Sequence, residues 1–363
     1  MMNDWRSGYM RMTVEGPQST WSSLLYWGLC PLSFLYGLVM RMRSSLYRAG
    51  LKSSYRASVP VISVGNMVVG GTGKTPMVDY LVRYISRLGA RCAVVSRGYG
   101  GTYRQDVARV DTSDGAVSMK AVEYGDEPCL LARRNPGVPV YVARKRALGV
   151  QAAERDGAQL ILLDDGFQHL GVQRGLDIVL LDARRPFGNG RLLPAGRLRE
   201  PLSALQRADL VILTRSGPET ANPLHYDVPV IRSAHQTEKR LTSLNGEVVT
   251  EADYRGKRCL AFAGIARPDE FFQSLQDFGF SGVDEISLAD HQEYSKDVLQ
   301  RLHGTCNNYD LLITTEKDAV KLSAEDFPKP CYQVGVEMIF DDFSPLATLL
   351  DEVMLNIPKS ASR

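Results

Sequence analysis

The sequence predicts an α/β fold in which a parallel sheet is covered by helices on both faces. Short, continuously apolar segments bounded by turn residues recur after residue 57. Helical patterns lie between several of them, for example at Met77–Leu88 and Arg144–Asp156. Apolar strands that alternate with helices are typical of such sheets. At about 150 residues per domain, a chain of 363 residues is expected to form two domains and some additional structure.

The predicted strands fall into two sets, and the second set indicates a smaller α/β unit. The first set comprises Val59–Val64, Arg91–Ser96, Val138–Val142, Gln159–Leu163, Asp177–Leu181 and Asp209–Thr214. The second comprises Arg258–Ala263, Asp284–Leu288, Leu311–Thr314 and Tyr332–Val336, with helices at Pro268–Phe278 and Ser295–Leu302. Residues 216–257 are predicted to connect the two units, with weak strand signals at Val228–Arg232 and Arg240–Leu244.

Composition excludes several classes of protein. Hydrophobic residues make up 44% and charged residues 23%, which is a globular balance and excludes a disordered or collagen-like chain. The net charge of +2 gives no reason to expect a nucleic-acid partner. The six cysteines lie far apart and form no CxxC pair, so neither a zinc knuckle nor a thioredoxin-like motif is predicted.

The N-terminal region predicts a membrane-associated helix. No charged residue occurs from Gly16 to Met40, and residues 21–40 are long enough as a helix to match the thickness of a bilayer. Pro31 and the small residues along one face are unusual for a simple membrane-spanning helix. The sequence therefore allows either a helix that lies in the membrane interface or a single membrane-spanning helix. The alternative is a buried core helix. The first 15 residues are expected to form a loose leader.

A purely basic segment follows the apolar stretch. It contains Arg41, Arg43, Arg48, Lys52 and Arg56, with no acidic residue among them. Such a segment favours an anionic, cytoplasmic membrane surface. A secretory signal peptide is not predicted, because the apolar run starts late and leads into arginines instead of a small-residue cleavage site.

The clearest chemical motif is a glycine-rich loop between the first predicted strand and a helix. It reads Gly70-Gly71-Thr72-Gly73-Lys74-Thr75. Glycines let backbone N–H groups approach phosphate oxygens, and the N-terminus of the following helix adds partial positive charge. Lys74 is expected to reach the β- and γ-phosphates, and Thr75 to bind Mg²⁺. The usual pattern has a further glycine six residues before the lysine, where this chain has Val68.

Two acidic residues end a predicted buried strand. Leu160-Ile161-Leu162-Leu163 leads directly into Asp164 and Asp165. Their carboxylates are therefore expected at the carboxyl end of the sheet, where ligands bind in open α/β folds. Together with the glycine-rich loop they predict a Walker B-like Mg²⁺ site. The same strand tip continues to His169, for which a functional and a purely structural role are equally open.

Two further acidic motifs are candidates for catalysis. Asp126 and Glu127 precede Pro128, where they either complement a helix dipole or supply a base for a substrate hydroxyl. Asp290-His291 follows a strand of the second unit, and the sequence alone does not bring His291 near Asp126. Five arginines crowd the stretch from residue 184 to 201, and arginine clusters of this kind suit phosphate recognition. They are Arg184, Arg185, Arg191, Arg197 and Arg199.

These motifs together resemble the tetraacyldisaccharide 4′-kinase family, the lipid A 4′-kinases of Gram-negative bacteria, over roughly residues 20–340. The resemblance includes the missing early glycine of the loop. The matching segments are Val64-Gly65-Asn66, Val69-Gly70-Gly71-Thr72-Gly73-Lys74-Thr75-Pro76, Ser96-Arg97-Gly98-Tyr99-Gly100, Gly125-Asp126-Glu127-Pro128, Asp164-Asp165-Gly166-Phe167-Gln168-His169, Leu193-Pro194-Ala195-Gly196-Arg197-Leu198-Arg199-Glu200-Pro201, Phe262-Ala263-Gly264-Ile265, Asp290-His291 and Thr314-Thr315-Glu316-Lys317-Asp318.

The resemblance implies a P-loop NTPase-like α/β/α domain and a second, smaller α/β/α domain joined by a short β linker, with ATP and substrate between them, and an N-terminal membrane-associated helix. The corresponding bounds are a leader at 1–18, the helix with its basic flank at 19–56, a P-loop kinase domain at 57–215, a connection at 216–257, a second domain at 258–345 and a tail at 346–363. It also implies transfer of the γ-phosphate of ATP to the 4′-hydroxyl of the lipid A disaccharide 1-phosphate, which gives lipid IVA in lipopolysaccharide biosynthesis.

The resemblance also implies roles for individual residues. Asp126 and His291 would form a catalytic pair, supported by Lys74. Thr75, Asp164 and Asp165 would serve the Mg²⁺ site, and Tyr99, His169 and Arg197 would line the phosphate or sugar site. The implied location is the cytoplasmic face of the inner membrane, as a peripheral or single-pass protein, and no protein partner is implied.

Three other functions fit the sequence less well. A soluble P-loop kinase or ligase for a small metabolite leaves the apolar N-terminus and its basic flank without a use. A membrane-bound GTPase requires an Asn-Lys-x-Asp element, whereas Lys317 and Asp318 are adjacent here. A structural membrane adaptor leaves the glycine-rich loop and the paired aspartates unexplained.

Overall fold

The computed structural model describes residues 2–110, 117–217 and 227–357. Its helices are α1 (Met2–Glu15), α2 (Thr20–Arg48), α3 (Lys74–Arg87), α4 (Val117–Tyr124), α5 (Asp126–Arg134), α6 (Arg146–Arg155), α7 (Glu251–Tyr254), α8 (Pro268–Ser274), α9 (Lys296–Cys306), α10 (Glu316–Ala319) and α11 (Ser344–Leu355). Its strands are β1 (Val61–Asn66), β2 (Cys92–Ser96), β3 (Val107–Val110), β4 (Val140–Ala143), β5 (Leu160–Asp164), β6 (Leu176–Asp182), β7 (Leu210–Thr214), β8 (Val230–Ser243), β9 (Val248–Val249), β10 (Arg258–Ala263), β11 (Gly282–Ser287), β12 (Leu311–Thr315) and β13 (Cys331–Phe340).

The chain forms two compact units, and each is built from separate stretches of sequence. The first unit takes residues 1–96, 145–234 and 339–363, and the second takes residues 97–144 and 235–338. The predicted domain bounds at 57–215 and 258–345 are not the bounds of these units. Residues 97–144, predicted to be part of the P-loop kinase domain, belong to the second unit.

The first unit contains the predicted parallel sheet. Its strands lie in the order β8-β7-β6-β1-β5-β2, and every pair for which a register is defined is parallel. Strands β1, β5, β6 and β7 are buried along their whole length, which explains their continuously apolar sequences. Val64 of β1 pairs with Asp164 of β5, so the segments that follow these two strands leave the sheet at the same edge.

The second unit contains a smaller parallel sheet, as predicted. Strands β11, β10, β12 and β13 lie side by side in that order, and β8 follows β13. Phe262, Leu275, Ile313 and neighbouring apolar side chains fill its core. An antiparallel pair of strands, β3 and β4, is also part of this unit.

The expectation of a loose leader is wrong, and the tail and the connection both contain regular structure. The leader is a helix, α1, whose Met12 is buried against Tyr26 and Ala195. The tail begins inside helix α11, which buries Leu346, Leu350 and Val353. The connection is dominated by one long strand, β8, which runs through a polar stretch between the two weak strand signals. Residues 218–226 of the predicted connection and residues 358–363 of the predicted tail lie outside the described residues.

Candidate active site

The glycine-rich loop joins β1 to α3 in the first unit. Helix α3 begins at Lys74, and its N-cap, Gly73, has a φ of 87°, a backbone conformation that side chains with a Cβ rarely adopt. Asn66, the last residue of β1, donates from its side-chain amide to Gly70 O at 3.3 Å and to Thr72 Oγ1 at 3.0 Å. The loop is therefore shaped by its own strand, and Lys74 and Thr75 occupy the first turn of the helix, where phosphate-binding residues are expected.

A second segment lies alongside the loop and explains why Val68 can replace the usual glycine. Val69 N donates to Arg197 O at 2.9 Å, and Arg199 N donates to Met67 O at 2.8 Å. Val68 bridges Leu198 in the antiparallel sense and is buried. Val68 does not have a positive φ, and its neighbours are hydrogen-bonded to this segment, so the position needs no glycine conformation. The guanidinium of Arg197 lies against Gly70, where a Cβ would stand 2.5 Å from its Nη2.

Asp164 is the last residue of β5, Asp165 follows it at the same edge of the sheet, and the two have different surroundings. Asp164 is buried and accepts a hydrogen bond from Ser96 Oγ at 2.9 Å, while no described residue donates to its Oδ1. Burial is the main cause that raises the pKa of Asp164, and the negative charge of Asp165 raises it further. An orphaned carboxylate oxygen beside the glycine-rich loop fits a divalent cation.

Asp165 is held by two cations. Arg199 Nη1 donates to both carboxylate oxygens at 2.8 Å, and Lys74 Nζ lies 3.5 Å from Oδ1. Burial opposes ionisation of Asp165, but the charges of Lys74 and Arg199 outweigh it and lower its pKa to about 2. The P-loop lysine is therefore paired with an acidic residue of the predicted Mg²⁺ site.

The residues present fit Mg²⁺. Among the residues that the structure describes, no group of three or more His, Cys, Asp and Glu side chains could hold a metal ion by itself. Mg²⁺ usually takes one or two carboxylates and fills its other positions with water and substrate phosphate oxygens. Asp164, Asp165 and the Thr75 hydroxyl match that pattern better than they would match an all-protein metal cage.

The second unit brings Asp126 and His291 together, although 165 residues of sequence separate them. Asp126 is the first residue of α5 and is largely buried, and its Oδ2 lies 2.9 Å from His291 Nδ1. Burial opposes the ionisation of Asp126, but the contact with His291 and the charges of Lys317 and Lys321 outweigh it and lower its pKa. The same contact with Asp126 is the largest cause that raises the pKa of His291.

Two lysines accompany this pair. Lys317 Nζ lies 3.1 Å from His291 Nε2, on the opposite side of the ring from Asp126. Lys321 Nζ lies 3.9 Å from Asp126 Oδ2 and 3.3 Å from Asp318 Oδ1. Asp126 therefore carries a negative charge in a largely buried position that is compensated by nearby cations, which is a suitable state for a base that accepts a proton.

Unusual backbone conformations occur at both groups of residues. Within the described part of the chain, three non-glycine residues have positive φ: Asp165 at 51°, Arg215 at 55° and His291 at 59°. Arg215 donates to Gly71 O in the glycine-rich loop at 3.2 Å. Conformations of this kind cost roughly 1–3 kcal/mol each and cluster at functional sites.

The remaining predicted site residues have less specific surroundings. Tyr99 is 71% exposed, and its ring packs edge-on against His291 with centroids 6.2 Å apart. His169 is half-buried in the turn after Asp165, where its backbone N donates to Gly166 O and its O accepts from Arg174. The structure thus groups Asp126, His291 and Tyr99 in one unit, and the loop, Asp164, Asp165 and Arg197 in the other.

Several residues of these groups were missed from the sequence as individual contributors. Arg199 was noted only as a member of an arginine cluster, and Lys317 only as part of a matching motif. Arg215 had no signal, because a single arginine after a strand is common. Gln168, which donates to Asn66 O at 2.8 Å, belongs to the Asp-Asp-Gly-Phe-Gln-His motif, and its contact with the neighbouring strand end could have been expected from that position.

Helix α2 packs on the first unit through a narrow face. Its small residues Ser33 and Gly37 are buried, and Ser33 Oγ donates to Leu192 O at 2.9 Å. Tyr36 OH donates to Arg199 O at 2.8 Å, and Arg43 donates to Gln168 O at 2.8 Å. The helix therefore touches the same segments that border the glycine-rich loop.

The rest of α2 is an exposed apolar surface. It is the one helix among the described residues that is long and apolar enough to cross a membrane, and only a small part of it is buried. This is not the arrangement of a buried core helix. The large exposed side chains are Trp21, Leu24, Leu25, Trp27, Leu32, Phe34, Leu35, Leu38, Val39 and Met42.

Comparisons with known proteins agree with the sequence motifs. The profile of the LpxK family, described as tetraacyldisaccharide-1-P 4′-kinase, matches residues 25–355. A tetraacyldisaccharide 4′-kinase from Syntrophotalea carbinolica is 47% identical over 96% of this chain and 98% of its own length. Another from Geobacter sulfurreducens is 42% identical over 96% of this chain and 99% of its own length.

A solved structure is similar over most of the chain. It is a crystal structure of LpxK from Aquifex aeolicus in complex with ATP, with a TM-score of 0.76 and 30% identity, and it covers 91% of this chain and 99% of that one. The α/β fold with a P-loop and a second, smaller sheet is thereby confirmed, and so is the resemblance seen in the motifs. This chain belongs to the tetraacyldisaccharide 4′-kinase family.

Proposed function

We propose that this chain is an ATP-dependent kinase that transfers the γ-phosphate of ATP to the 4′-hydroxyl of the lipid A disaccharide 1-phosphate. Membership of the family supports the substrate, and the glycine-rich loop supports the nucleotide. The observation that carries the proposal is the 2.9 Å contact between Asp126 and His291. A P-loop alone is common to many NTPases, whereas transfer to an alcohol also calls for a group that takes the hydroxyl proton.

The first unit supplies the nucleotide-binding groups. Backbone N–H groups of residues 70–75 bind the β- and γ-phosphates, together with the partial positive charge at the start of α3. Lys74 leaves Asp165 and pairs with the phosphates, while Arg199 keeps Asp165 neutralised. Thr75, Asp164 and Asp165 would hold Mg²⁺, which supplies positive charge against the phosphate oxygens when bound.

The second unit supplies the base. Asp126 accepts the proton of the 4′-hydroxyl as the hydroxyl oxygen bonds to the γ-phosphorus and the bond between that phosphorus and the leaving ADP oxygen breaks. His291 contacts Oδ2 of Asp126, and Oδ1, which accepts from Glu127 N at 3.2 Å, is the oxygen proposed to take the proton. The products are ADP, the 4′-phosphorylated disaccharide and a proton that Asp126 returns to water. Groups acting in this way contribute about 10²- to 10⁴-fold to the rate.

Three residues are proposed to contact the phosphates or the sugar. Arg197 lies against Gly70 and can add a guanidinium to the phosphate-binding loop. Tyr99 offers an exposed ring beside His291, and an aromatic face of this kind suits a sugar ring. His169 stays a prediction that rests on the family motif alone.

Helix α2 is proposed to lie in the membrane interface and not to cross the bilayer. Its polar contacts with the first unit extend from Tyr26, which accepts from Arg191, to Arg43, a distance of about 25 Å along the helix. A spanning helix would have to give up these contacts. The exposed apolar surface would enter the interface, and the basic flank from Arg41 to Arg56 would face anionic lipid on the cytoplasmic side.

A phosphate-transfer assay with purified protein tests the proposal. Labelled γ-phosphate from ATP is followed into the tetraacylated disaccharide 1-phosphate and, in parallel, into a set of soluble sugars. We expect transfer to the lipid disaccharide only, and loss of transfer in Asp126→Ala. Transfer to a soluble sugar at equal or greater kcat/KM would favour the small-metabolite kinase instead.

A further inference from the structure

One motif of the sequence, Thr314-Thr315-Glu316-Lys317-Asp318, has no role in the reaction as proposed. Its residues end β12 and begin α10, directly beside the Asp126–His291 pair. Lys317 Nζ lies 3.1 Å from His291 Nε2 and 3.5 Å from Asp290 Oδ1. The ring of His291 is therefore contacted on both nitrogens, by a carboxylate on Nδ1 and by an ammonium on Nε2.

The chemistry of these two partners fixes the position of the proton on the ring. A carboxylate only accepts hydrogen bonds, so the 2.9 Å contact between His291 Nδ1 and Asp126 Oδ2 favours hydrogen on Nδ1. An ammonium only donates, so Nε2 must present its lone pair to Lys317. One neutral tautomer, with hydrogen on Nδ1, satisfies both contacts. A doubly protonated ring would instead place an N–H group against a cation 3.1 Å away.

The position of Lys317 is fixed by buried contacts of its own helix. Asp318 is buried completely, and its Oδ2 accepts from Gly264 N at 2.9 Å and from Thr315 Oγ1 at 2.8 Å. Gly264 O in turn accepts from His291 N at 3.0 Å. One carboxylate thus ties the helix that carries Lys317 to the loop that carries His291.

Asp126, the other member of the pair, lies on a helix that is joined to α10. Arg134, the last residue of α5, donates to Glu316 Oε2 at 2.5 Å and also pairs with Glu238. Asp126 is the first residue of α5. Helices α5 and α10 are therefore joined by an ion pair, and Asp126, His291 and Lys317 form one chain of direct contacts.

We infer that Lys317 is a positioning residue that holds His291 in the tautomer with hydrogen on Nδ1, aimed at Asp126. This inference rests on the proposed function, because it assigns Lys317 a part in the work of the Asp126–His291 pair. The charged and titratable groups that face this ring are Asp126 of α5, Lys317 of α10, Asp290 of its own loop and Tyr99. The charge of Lys317 opposes the effect of Asp126, which raises the pKa of His291.

The direct test is a nitrogen NMR spectrum of the full chain labelled at histidine. The chain has five histidines, so the signal of His291 can be assigned by comparison with His291→Gln. We expect hydrogen on Nδ1 and a bare Nε2 in the wild-type protein at a pH above the raised pKa of His291. A wild-type ring with hydrogen on Nε2 would overturn the inference, and this outcome needs no variant of Lys317 to fold.

Kinetics provide the second test, with Lys317→Met, which keeps the length of the side chain and removes its charge. We expect kcat to fall about tenfold with KM little changed, which is less than the loss of a general base. The acidic limb of the kcat–pH profile should move to higher pH, because His291 protonates more readily without the lysine. Lys317→Arg should keep kcat and the acidic limb of the profile close to those of the wild type, since a guanidinium also only donates hydrogen bonds.

The control is Lys296→Met, an exposed lysine at the start of α9 in the same unit. It should leave kcat, the pH profile and the His291 spectrum unchanged. A raised KM with unchanged kcat in Lys317→Met would mean that the lysine binds substrate instead of positioning His291. A His291 spectrum and a pH profile identical to those of the wild type would mean that the lysine neither positions His291 nor binds substrate. The spectrum is independent of turnover, so absence of transfer to the lipid disaccharide would contradict the proposed function and not this assignment.

Discussion

Ser33 offers a sharp test of how the N-terminal helix is held. Its Oγ donates to Leu192 O and accepts from Ala195 N, both at 2.9 Å. Ser33→Ala removes both hydrogen bonds and leaves no sizeable cavity. Leu192 O still accepts from a second donor, Gly196 N at 2.9 Å, so losing the hydrogen bond from Ser33 costs little at this oxygen. Ala195 N is left buried without the partner that Ser33 supplied.

The expected loss of stability follows from that difference. Burying an unsatisfied N–H costs about 1–3 kcal/mol, and a lost hydrogen bond costs about 1 kcal/mol. We therefore expect the free energy of unfolding of the first unit to fall by about 2–3 kcal/mol. For a unit of roughly 200 residues this lowers Tm by about 4–12 °C.

Thermal unfolding followed by circular dichroism measures this change. Ser45→Ala, an exposed serine of the same helix, is the matched control and should shift Tm by no more than about 1 °C. The transfer rate on detergent-dispersed substrate should also fall in Ser33→Ala, because residues 197–199 border the glycine-rich loop. Equal Tm values for the two variants would refute the docking of α2 through Ser33.

Four further outcomes are expected. Lys74→Ala should abolish turnover while leaving Tm nearly unchanged, because the lysine stabilises charge on the transferring phosphoryl group; near-normal kcat would contradict the P-loop assignment. Asp126→Ala and His291→Ala should each be severely slow and grossly non-additive, as measured by kcat of the double variant, whereas multiplicative losses would mean that the two residues act independently. The pKa of Asp165 is lowered from 3.8 to about 2, so its ionised form stabilises the fold above pH 3.8 and this contribution is lost as the pH falls through about 2. The urea midpoint should therefore fall less between about pH 5 and about pH 3 in Asp165→Asn than in the wild type, and equal falls would argue against the ion pair. Deletion of residues 1–40 should reduce sedimentation with anionic vesicles and, because α2 contacts the segments beside the loop, should also lower turnover in detergent; unchanged vesicle binding would contradict membrane association through α2.

The sequence predicts the strands of both sheets well because burial and strand formation coincide there. Strands such as β5 and β7 are buried along their whole length, so an unbroken apolar run marks each of them. Only the ends of β8 can be recognised in the sequence, because Ala234 is the one apolar residue from Ser233 to Lys239 and no apolar run marks the strand. Helices α1 and α11 were missed, since each buries only a few side chains and carries no motif.

The part of the candidate site that lies at the ends of neighbouring strands could be predicted from the sequence. The glycine-rich loop and Asp164 follow neighbouring parallel strands, and this juxtaposition can be derived from the apolar pattern. The contact between Asp126 and His291 could not be derived, because nothing in composition or spacing joins residues so far apart in sequence. It was expected only from the family resemblance. The roles of Arg199 and Lys317 depend on atomic distances that a motif does not carry.

The interleaved order of the two units has a consequence for how the protein can be made and divided. The chain enters the first unit, leaves it at residue 97, returns at 145, leaves again at 235 and returns at 339. The last return brings Phe340 and Phe343 onto Tyr80 of the helix that follows the glycine-rich loop. On the ribosome, the nucleotide-binding unit therefore stays incomplete until nearly the whole chain has emerged. No single cut releases either unit intact, and a fragment that starts at residue 235 carries His291 without the helix that carries Asp126.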